Sequence, residues 1–481
     1  MSEVTDDDNA APLYASRKAV YQQSVKGRFR SIKWMLLTGT LAVYYLLPFV
    51  RWDRGPNAPD QAVLIDFPNR RFYFFFIEIW PQEIYYLSGL LILAALSLFL
   101  MNALAGRIWC GYLCPQTVWT DLFFAVERFW EGDRREHMLA DQKPMSLNRL
   151  LRRIGKHLTW LMIAWWTGGA WVLYFSDAPT LVYELATFKA PFVAYLWIGI
   201  LTATTYLLAG WMREQVCIYM CPWPRIQAAL TDEDALNVTY KYDRAEPRMS
   251  LKEANALRSK GEKAGDCIDC HQCINVCPTG VDIRNGLQLD CIQCGLCIDA
   301  CDNVMTKIGR PTGLIGYDTD EAIKARMKLE TPVYRLIRPR TIVYAAAIAA
   351  VSLFMLYSLL GRSELDITAQ HDRNPLYVTL SDGSIRNGYT LRLLNKTLQR
   401  RTFRVETFGL GGAKIQAADA IQELEGRSMI LSVPPDNALE VRTFVAVDKS
   451  ATKPGTQRVV FRLSDVDTGR SATVRETFVA P

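Results

Sequence analysis

Five runs of this chain, 34–50, 87–104, 158–175, 192–211 and 342–360, contain no Asp, Glu, Lys or Arg. Each matches the roughly 17–25 apolar residues that a helix needs to cross the hydrocarbon core of a bilayer. Buried core helices of a soluble protein do not explain five such runs with basic flanks. The sequence therefore predicts an α-helical membrane protein with five transmembrane helices. The whole-chain mean hydropathy of +0.02 conceals this, because long polar connections dilute it. The first run begins only after residue 33 and lacks a small-residue cleavage site, so it reads as a retained helix and not a signal peptide.

The basic residues orient these helices. Arg17, Lys18, Lys26, Arg28, Arg30 and Lys33 precede the first run, and the connection 105–157 carries Arg134, Arg135, Arg152, Arg153 and Lys156 among others. The connection 176–191 has only Lys189, and the region 213–341 ends in Arg335, Arg338 and Arg340. The consistent layout has a cytoplasmic N-terminal segment (1–33) and a four-helix membrane region (34–212). A cytoplasmic region (213–341), a fifth helix (342–360) and a periplasmic domain (361–481) follow. This places the chain in a bacterial inner membrane as a multi-pass protein. Residues 118–130 mix Asp121, Glu127 and Arg128 with aromatics, which predicts an amphipathic helix lying at the inner interface. The net charge of +6 is modest and spread out and gives no nucleic-acid footprint.

Beyond residue 366 the pattern changes to short alternating runs at 376–380, 390–394, 402–407, 429–433, 439–447, 458–463 and 473–479, separated by turn residues. Seven short strands in this span predict an immunoglobulin-like β-sandwich. It contains no Cys and so lacks an inter-sheet disulfide.

The 12 cysteines carry the chemistry. Cys267, Cys270, Cys273 and Cys277 form C-x-x-C-x-x-C-x-x-x-C-P, and Cys291, Cys294, Cys297 and Cys301 repeat it 24 residues later. This doubled spacing is that of two-cluster ferredoxins, in which the fourth Cys of each run serves the other cluster. It predicts a ferredoxin-type domain at about 259–310 with two 4Fe–4S clusters, one on Cys267, Cys270, Cys273 and Cys301, the other on Cys291, Cys294, Cys297 and Cys277. Zinc is the alternative reading of paired C-x-x-C. Asp302 stands where the ferredoxin pattern has Pro, and His271 reads as a solvated surface residue.

The remaining cysteines form Cys110-Gly-Tyr-Leu-Cys114-Pro115 and Cys217-Ile-Tyr-Met-Cys221-Pro222. Each copy follows a membrane helix on its cytoplasmic side, and residues four apart share a helix face. Four thiols from two helices are thereby expected to converge beside the ferredoxin region. Soft thiolates suit Cu(I); packing of small buried residues is the alternative. Arg107, Arg213 and the start of the helix at Pro115 are expected to lower the thiol pKa values.

Together these features resemble the cytochrome c oxidase accessory protein family called CcoG, FixG or RdxA, membrane polyferredoxins. The residues that carry the resemblance are RFYFF (71–75), WPQE (80–83), WCGYLCPQTVWTDLF (109–123), CIYMCPWPRIQ (217–227) and the ferredoxin segment 267–302, followed by the sandwich. The resemblance implies a cupric reductase that takes Cu(II) to Cu(I) for assembly of a cbb-type oxidase. Cys110, Cys114, Cys217 and Cys221 would be its catalytic, copper-handling residues. It also implies copper ions, oxidase subunits and copper chaperones or transporters as partners.

Two other functions fit the residues. One is a quinol-linked electron-transfer subunit of the nitrate-reductase accessory type, with Glu78 and Glu83 near the quinol. The other is a non-redox assembly scaffold. No Rossmann fingerprint follows a predicted strand, so the electron donor is expected to be another protein or a quinol.

Overall fold

The structure, a computed structural model, describes residues 20–56, 58–397, 399–417, 422–424 and 427–481. Arg17 and Lys18 lie outside the described residues. The chain divides into two compact units, Met1–Val50 with Ala62–Leu353, and Arg51–Gln61 with Phe354–Pro481.

The first unit contains the helices α1 (Arg28–Leu46), α2 (Tyr85–Ala105), α3 (Ile108–Tyr112), α4 (Pro115–Glu131), α5 (Arg134–Gln142), α6 (Leu147–Val172), α7 (Ala178–Ala186), α8 (Phe192–Thr205) and α9 (Trp223–Leu230). A small meander of β1 (Val63–Asp66), β2 (Arg71–Phe74) and β3 (Ile77–Ile79) sits between α1 and α2 in the chain.

Among the described residues, four helical segments are long and apolar enough to cross a membrane: Arg28–Phe49, Pro81–Ala105, Phe192–Met212 and Pro339–Leu360. The sequence predicts five; by length and apolarity the structure has four. The run at 158–175 lies in α6, which ends at Val172 and is diluted by Trp165, Trp166, Thr167, Gly168 and Gly169.

Helix α6 is instead built for contact with protein. Its N-cap is Ser146, whose hydroxyl accepts from Arg149 N–H. Its buried stripe of Lys156, Trp160, Ala164 and Thr167 follows helical spacing. Trp160 stacks on Phe123 of α4 at 5.3 Å and donates from its indole to the Phe123 carbonyl at 3.1 Å. Gly168 brings α6 against α8, since a Cβ there would stand 2.9 Å from the Ile198 carbonyl oxygen. At one end of α6, Lys156 pairs with Glu131 at 2.7 Å; beyond the other end, the Tyr174 hydroxyl donates to the Tyr44 carbonyl of α1 at 2.9 Å. Helix α6 thus packs along α8 and α4 and meets α1 near its C-terminal end, where the Tyr44 hydroxyl donates to the Thr167 carbonyl at 2.8 Å.

Helix α4 departs from the expected interfacial helix. Its polar residues point into the protein: Asp121 is buried against Arg30 (2.8 Å) and Lys33 (3.7 Å), and Glu127 against Arg213 (2.8 Å). Burying charge costs energy unless it is paired, and each of these carboxylates has its cation.

Strands β4 (Asn237–Tyr240) and β5 (Ile315–Asp318) pair antiparallel and frame the ferredoxin loops, which pack on the helix Leu296–Lys307.

The second unit is a sandwich of two five-stranded sheets. One has β10 (Lys414–Ala417), β13 (Asn437–Val447), β8 (Ile385–Asn395) and β6 (Leu365–His371) in that order, with β7 (Val378–Thr379) also on β8. The other runs β11 (Gln422–Leu424), β12 (Ser428–Val433), β9 (Arg401–Phe408), β14 (Gly455–Asp465) and β15 (Ser471–Ala480). The expected strands all appear, the first cut to Val378–Thr379. The short β10 and β11 and the entry strand β6 are additional; the four residues of β10 and three of β11 give too little alternation to read. Inward positions alternate along β8 and β14, burying Tyr389, Leu391, Leu393, Val459, Phe461 and Leu463.

Candidate metal centres

The ferredoxin loops repeat in backbone geometry as well as in sequence. Asp269 (φ 53°) and His271 (φ 56°) in the first loop match Gln293 (φ 55°) and Gly295 (φ 74°) in the second. Three of these four are not glycine, so the left-handed conformation costs about 1–3 kcal/mol at each and persists only where surroundings enforce it. Its effect is to turn main-chain N–H groups inward. Gln293 N–H faces the Cys291 sulfur and Leu296 N–H faces that of Cys294.

The sulfurs act on one another across the repeat. Burial pushes the Cys291 thiol up to about 12, with Cys277 and then Cys294 adding to it. Cys297 is raised well above its ordinary value by burial and by Cys294, Cys291 and Cys277. Burial, Cys273, Cys270, Asp302 and Cys267 push Cys301 up to about 12. Cys277 therefore stands with the second loop and Cys301 with the first. Thiols this buried and this mutually repulsive hold a charged form only around a cationic centre, so both sets fit 4Fe–4S clusters. Among the described residues, Glu127, Glu131 and His137 also bring three ligand atoms within 4.8 Å of one another.

The two C-x-x-x-C-P turns also share one geometry. Cys114 N–H donates to the Trp109 carbonyl at 3.0 Å, and Cys221 N–H to the Val216 carbonyl at 2.8 Å. Each bond reaches back five residues, a widened π-type turn of the kind found at functional sites. Cys114 is the N-cap of α4, and Cys221 stands two residues before α9. The four thiols do converge. Burial, then Cys114, Cys217 and Cys221 push Cys110 up to about 12 against the opposing Arg107. Burial, Cys114, Cys221 and Glu214 push Cys217 up to about 12 against Lys33. The expected lowering of these two thiols is thus overturned, because burial outweighs the nearby cation. Arg213 is engaged with Glu127 instead. Cys221 and Met220 are exposed, making one side of the site accessible.

This site lies directly on the second ferredoxin loop. A Cβ on Gly111 would stand 2.8 Å from the Ile292 carbonyl oxygen and 2.9 Å from Cys294 Cα, so only glycine permits the approach. The Tyr112 hydroxyl donates to the Cys294 carbonyl at 3.0 Å, and Arg107 N–H to the Gln293 side chain at 2.9 Å. A cavity lined by Lys33, Cys217, Pro278, Thr279 and Ile292 separates the two sets. Two buried cations serve both sides: Arg107 acts on Cys110 and Cys291, and Lys33 on Cys217 and Cys294.

Other residues singled out in the sequence have structural partners. Asp302 accepts from Gly313 N–H at 2.7 Å and stands inside the helix Leu296–Lys307, where Pro would disrupt the turn. His271 is exposed beside Arg284. Glu78 pairs with Arg71 at 3.0 Å, and Glu83 accepts from Trp80 N–H at 3.2 Å, a helix-start role. Lys33, Tyr112 and Gln293 were not identified from sequence; Lys33 reads there only as a topogenic charge.

A family model described as a 4Fe–4S dicluster domain matches residues 212–320, and one described as a 4Fe–4S binding domain matches 87–131. A third, the "IG-like fold at C-terminal of FixG", matches 355–481. The nitrogen fixation protein FixG of Rhizobium meliloti is 48% identical over 464 residues, 91% of this chain and 88% of that protein. The chain belongs to the FixG/RdxA family. Protein RdxB of Cereibacter sphaeroides is 48% identical over 95% of this chain and 94% of its own. Protein RdxA of the same organism is 51% identical over 84% and 85%. A crystal structure of a FixG-related protein from Vibrio parahaemolyticus covers 24% of this chain and 97% of its own at 19% identity, with a TM-score of 0.21. As a FixG/RdxA-type protein, the chain is a membrane iron–sulfur protein of the electron-transfer oxidoreductase class with a C-terminal immunoglobulin-like domain.

Proposed function

We propose that this protein reduces Cu(II) to Cu(I), receiving electrons from a separate protein donor or quinol and releasing them at the four-cysteine site. The observation that carries the reading is the contact of Gly111 with Ile292 and Cys294, which sets Cys110 against the second ferredoxin loop. The clusters on Cys267, Cys270, Cys273, Cys301 and on Cys277, Cys291, Cys294, Cys297 supply one-electron chemistry when bound. The chain's own residues do the rest. Cu(II) arrives as substrate at the exposed rim of Cys221 and Met220, and soft sulfur favours the reduced ion. Arg107 and Lys33 offset negative charge on both sets of sulfurs. Cu(I) then passes to copper chaperones, transporters or the subunits of a cbb-type oxidase, the destination the family resemblance implies.

The layout we favour puts the clusters in the cytoplasm and the sandwich in the periplasm of a bacterial inner membrane. The basic residues before α1 and in 105–157 support it. It also needs one crossing between 105–157 and α8, and we infer that α6, which does not qualify as a span by apolarity, makes it while packed along α8 and α4.

The test is anaerobic titration of the dithionite-reduced, desalted protein with Cu(II), followed by loss of the copper EPR signal and cluster bleaching in reverse. One Cu(I) per electron stored supports the reading. Reduced clusters that survive excess Cu(II), with the copper signal intact, overturn it.

A further inference from the structure

Helix α6 has two unlike faces. At 3.6 residues per turn, Leu147, Leu150, Leu151, Ile154, Leu158 and Leu161 fall on one stripe, and all six are exposed. Lys156, Trp160, Ala164 and Thr167 lie on the opposite side and are buried. The apolar stripe begins at the first residue of the helix, Leu147, which is 73% exposed. It therefore starts well before the charge-free run at 158–175, among the basic residues that orient the helix. We infer that the turn from α5 into α6 holds the headgroup of an anionic phospholipid, whose chains lie along this stripe. The inference rests on the proposed crossing of α6 and is independent of the copper reading.

Three observations carry it. The first is length. Helix α6 has 26 residues, about 39 Å at a rise of 1.5 Å each. The hydrocarbon core of a bilayer is about 30 Å thick, or about 40–45 Å with its headgroup layers. Every Lys and Arg of α6 (Arg149, Arg152, Arg153 and Lys156) precedes His157. A crossing α6 thus sets these cations at headgroup level, and long basic side chains keep their charge there while their stems cover apolar surface.

The second is a cavity of about 410 Å³ where α5 turns into α6, lined in part by Glu131, Asp141, Lys143, Arg149, Arg152 and Arg153. The third is the charge left over in it. Arg149 and Arg153 donate to the same Oδ1 of Asp141, at 2.5 and 2.7 Å. Glu131 is matched by Lys156 at 2.7 Å. Among the described residues no carboxylate pairs with Lys143 or Arg152, and both are exposed. Asp141 alone thus answers four cations, and a phosphodiester complements the excess. The stripe decides the source of that phosphate. A free anion makes no use of an apolar face that starts at the cavity rim, whereas a phospholipid fills both.

The test titrates the full-length protein, in neutral detergent, with phosphatidylglycerol and with phosphatidylcholine of the same chains, and counts bound lipid by native mass spectrometry. A cation near an anionic lipid surface contributes about fivefold in affinity. One phosphatidylglycerol should therefore bind about twenty-fivefold more tightly than phosphatidylcholine, and Lys143→Gln/Arg152→Gln should abolish that preference without weakening phosphatidylcholine. Leu147→Ser/Leu151→Ser should weaken both lipids alike. These variants change exposed side chains only, and unchanged iron content checks that the fold is kept. Inorganic phosphate in large excess should not displace the lipid. Equal affinity for the two lipids, or a preference that survives in the Lys143→Gln/Arg152→Gln variant, overturns the inference. Displacement by inorganic phosphate overturns it in favour of a free-anion site. An inverted topology with lipid preference intact removes the cytoplasmic placement and leaves the site; the expected topology without the preference removes the site alone.

Discussion

The carboxylate of Asp299 accepts hydrogen bonds from the main-chain N–H groups of Phe29 and Arg30 at 3.1 and 2.8 Å. Asp299 lies between the ligands Cys297 and Cys301, while Phe29 and Arg30 open the first membrane helix. The N-terminus of α1 has no side-chain cap of its own, because its N-cap is Gly27. A residue more than two hundred positions away supplies one. Gly27 is required there, since a Cβ would collide with the Asp299 carboxylate.

Asp299→Ala should therefore cost roughly 0.5–2 kcal/mol, the usual range for a lost helix cap. It should also raise protease cleavage near residue 26 without changing iron content. Gly27→Ala should weaken the same contact. Because both act on one interaction, the double variant should lose less than the sum of the two. Strict additivity in denaturant titrations would show that they act on separate features.

A second anchor is Asp121. Burial works to raise its pKa, but Lys33 and Arg30 hold the carboxyl below its ordinary value. A group depressed in the folded state stabilises above its unfolded pKa, near 3.8, and that stability is lost as pH falls through the folded value. Between pH 8 and 5 the anchor should not titrate at all. Asp121→Asn leaves Arg30 and Lys33 buried without a counter-charge and should cost about 3–5 kcal/mol. Unfolding curves measured at pH 8 and 5 should differ between variant and wild type by the same amount at both values.

The sequence made much of this architecture legible and left a definable part hidden. The ferredoxin ligand sets follow from spacing because a cubane imposes it, and the sandwich strands follow from alternation because one face is buried. Asp299 and Lys33 were illegible as partners: a cap supplied from a distant segment leaves no local pattern, and a lysine at the end of an apolar run looks like a topogenic charge. The thiol pKa values of Cys110 and Cys217 were misjudged because sequence lists neighbouring cations but not depth of burial. Helix α6 falls short of a span by apolarity because a run without charges is not the same as a run of high hydropathy.

Gly111→Ala should push the C-x-x-x-C-P turn away from Ile292 and Cys294, whose facing atoms are main chain and cannot swing aside. Iron content should stay near the wild-type value, while the rate of electron passage to Cu(II) should fall about tenfold or more. Stopped-flow recovery of the cluster absorbance on mixing with Cu(II) measures this. An unchanged rate would mean that electrons leave by another route.

The crossed ligand sets predict paired phenotypes. Cys273→Ser and Cys301→Ser should damage the same cluster, and Cys277→Ser should match Cys291→Ser instead. EPR spectra of the reduced variants should sort into these two classes. Sorting by position in the chain, Cys273 with Cys277, would contradict the grouping of the sulfurs described above.

Sidedness is checked by fusion. A periplasm-active reporter placed after Pro481 should be active, and the same reporter near Ser259 should be silent. The opposite pattern would invert the layout.

The composition of α6 bears on how the chain enters the membrane. A helix that carries Lys156 toward Trp160 and seats Gly168 on the Ile198 carbonyl is poorly suited to partition into lipid by itself. On the proposed five-crossing layout its crossing would have to await the partner that covers it, α8, which is made later. Nascent chains that end soon after Val172 would then leave α6 at the surface, and chains extended through Met212 would draw it in as a hairpin. The side of the membrane on which the clusters are assembled would be settled late in synthesis, once that hairpin has formed, and not by the first helix to emerge.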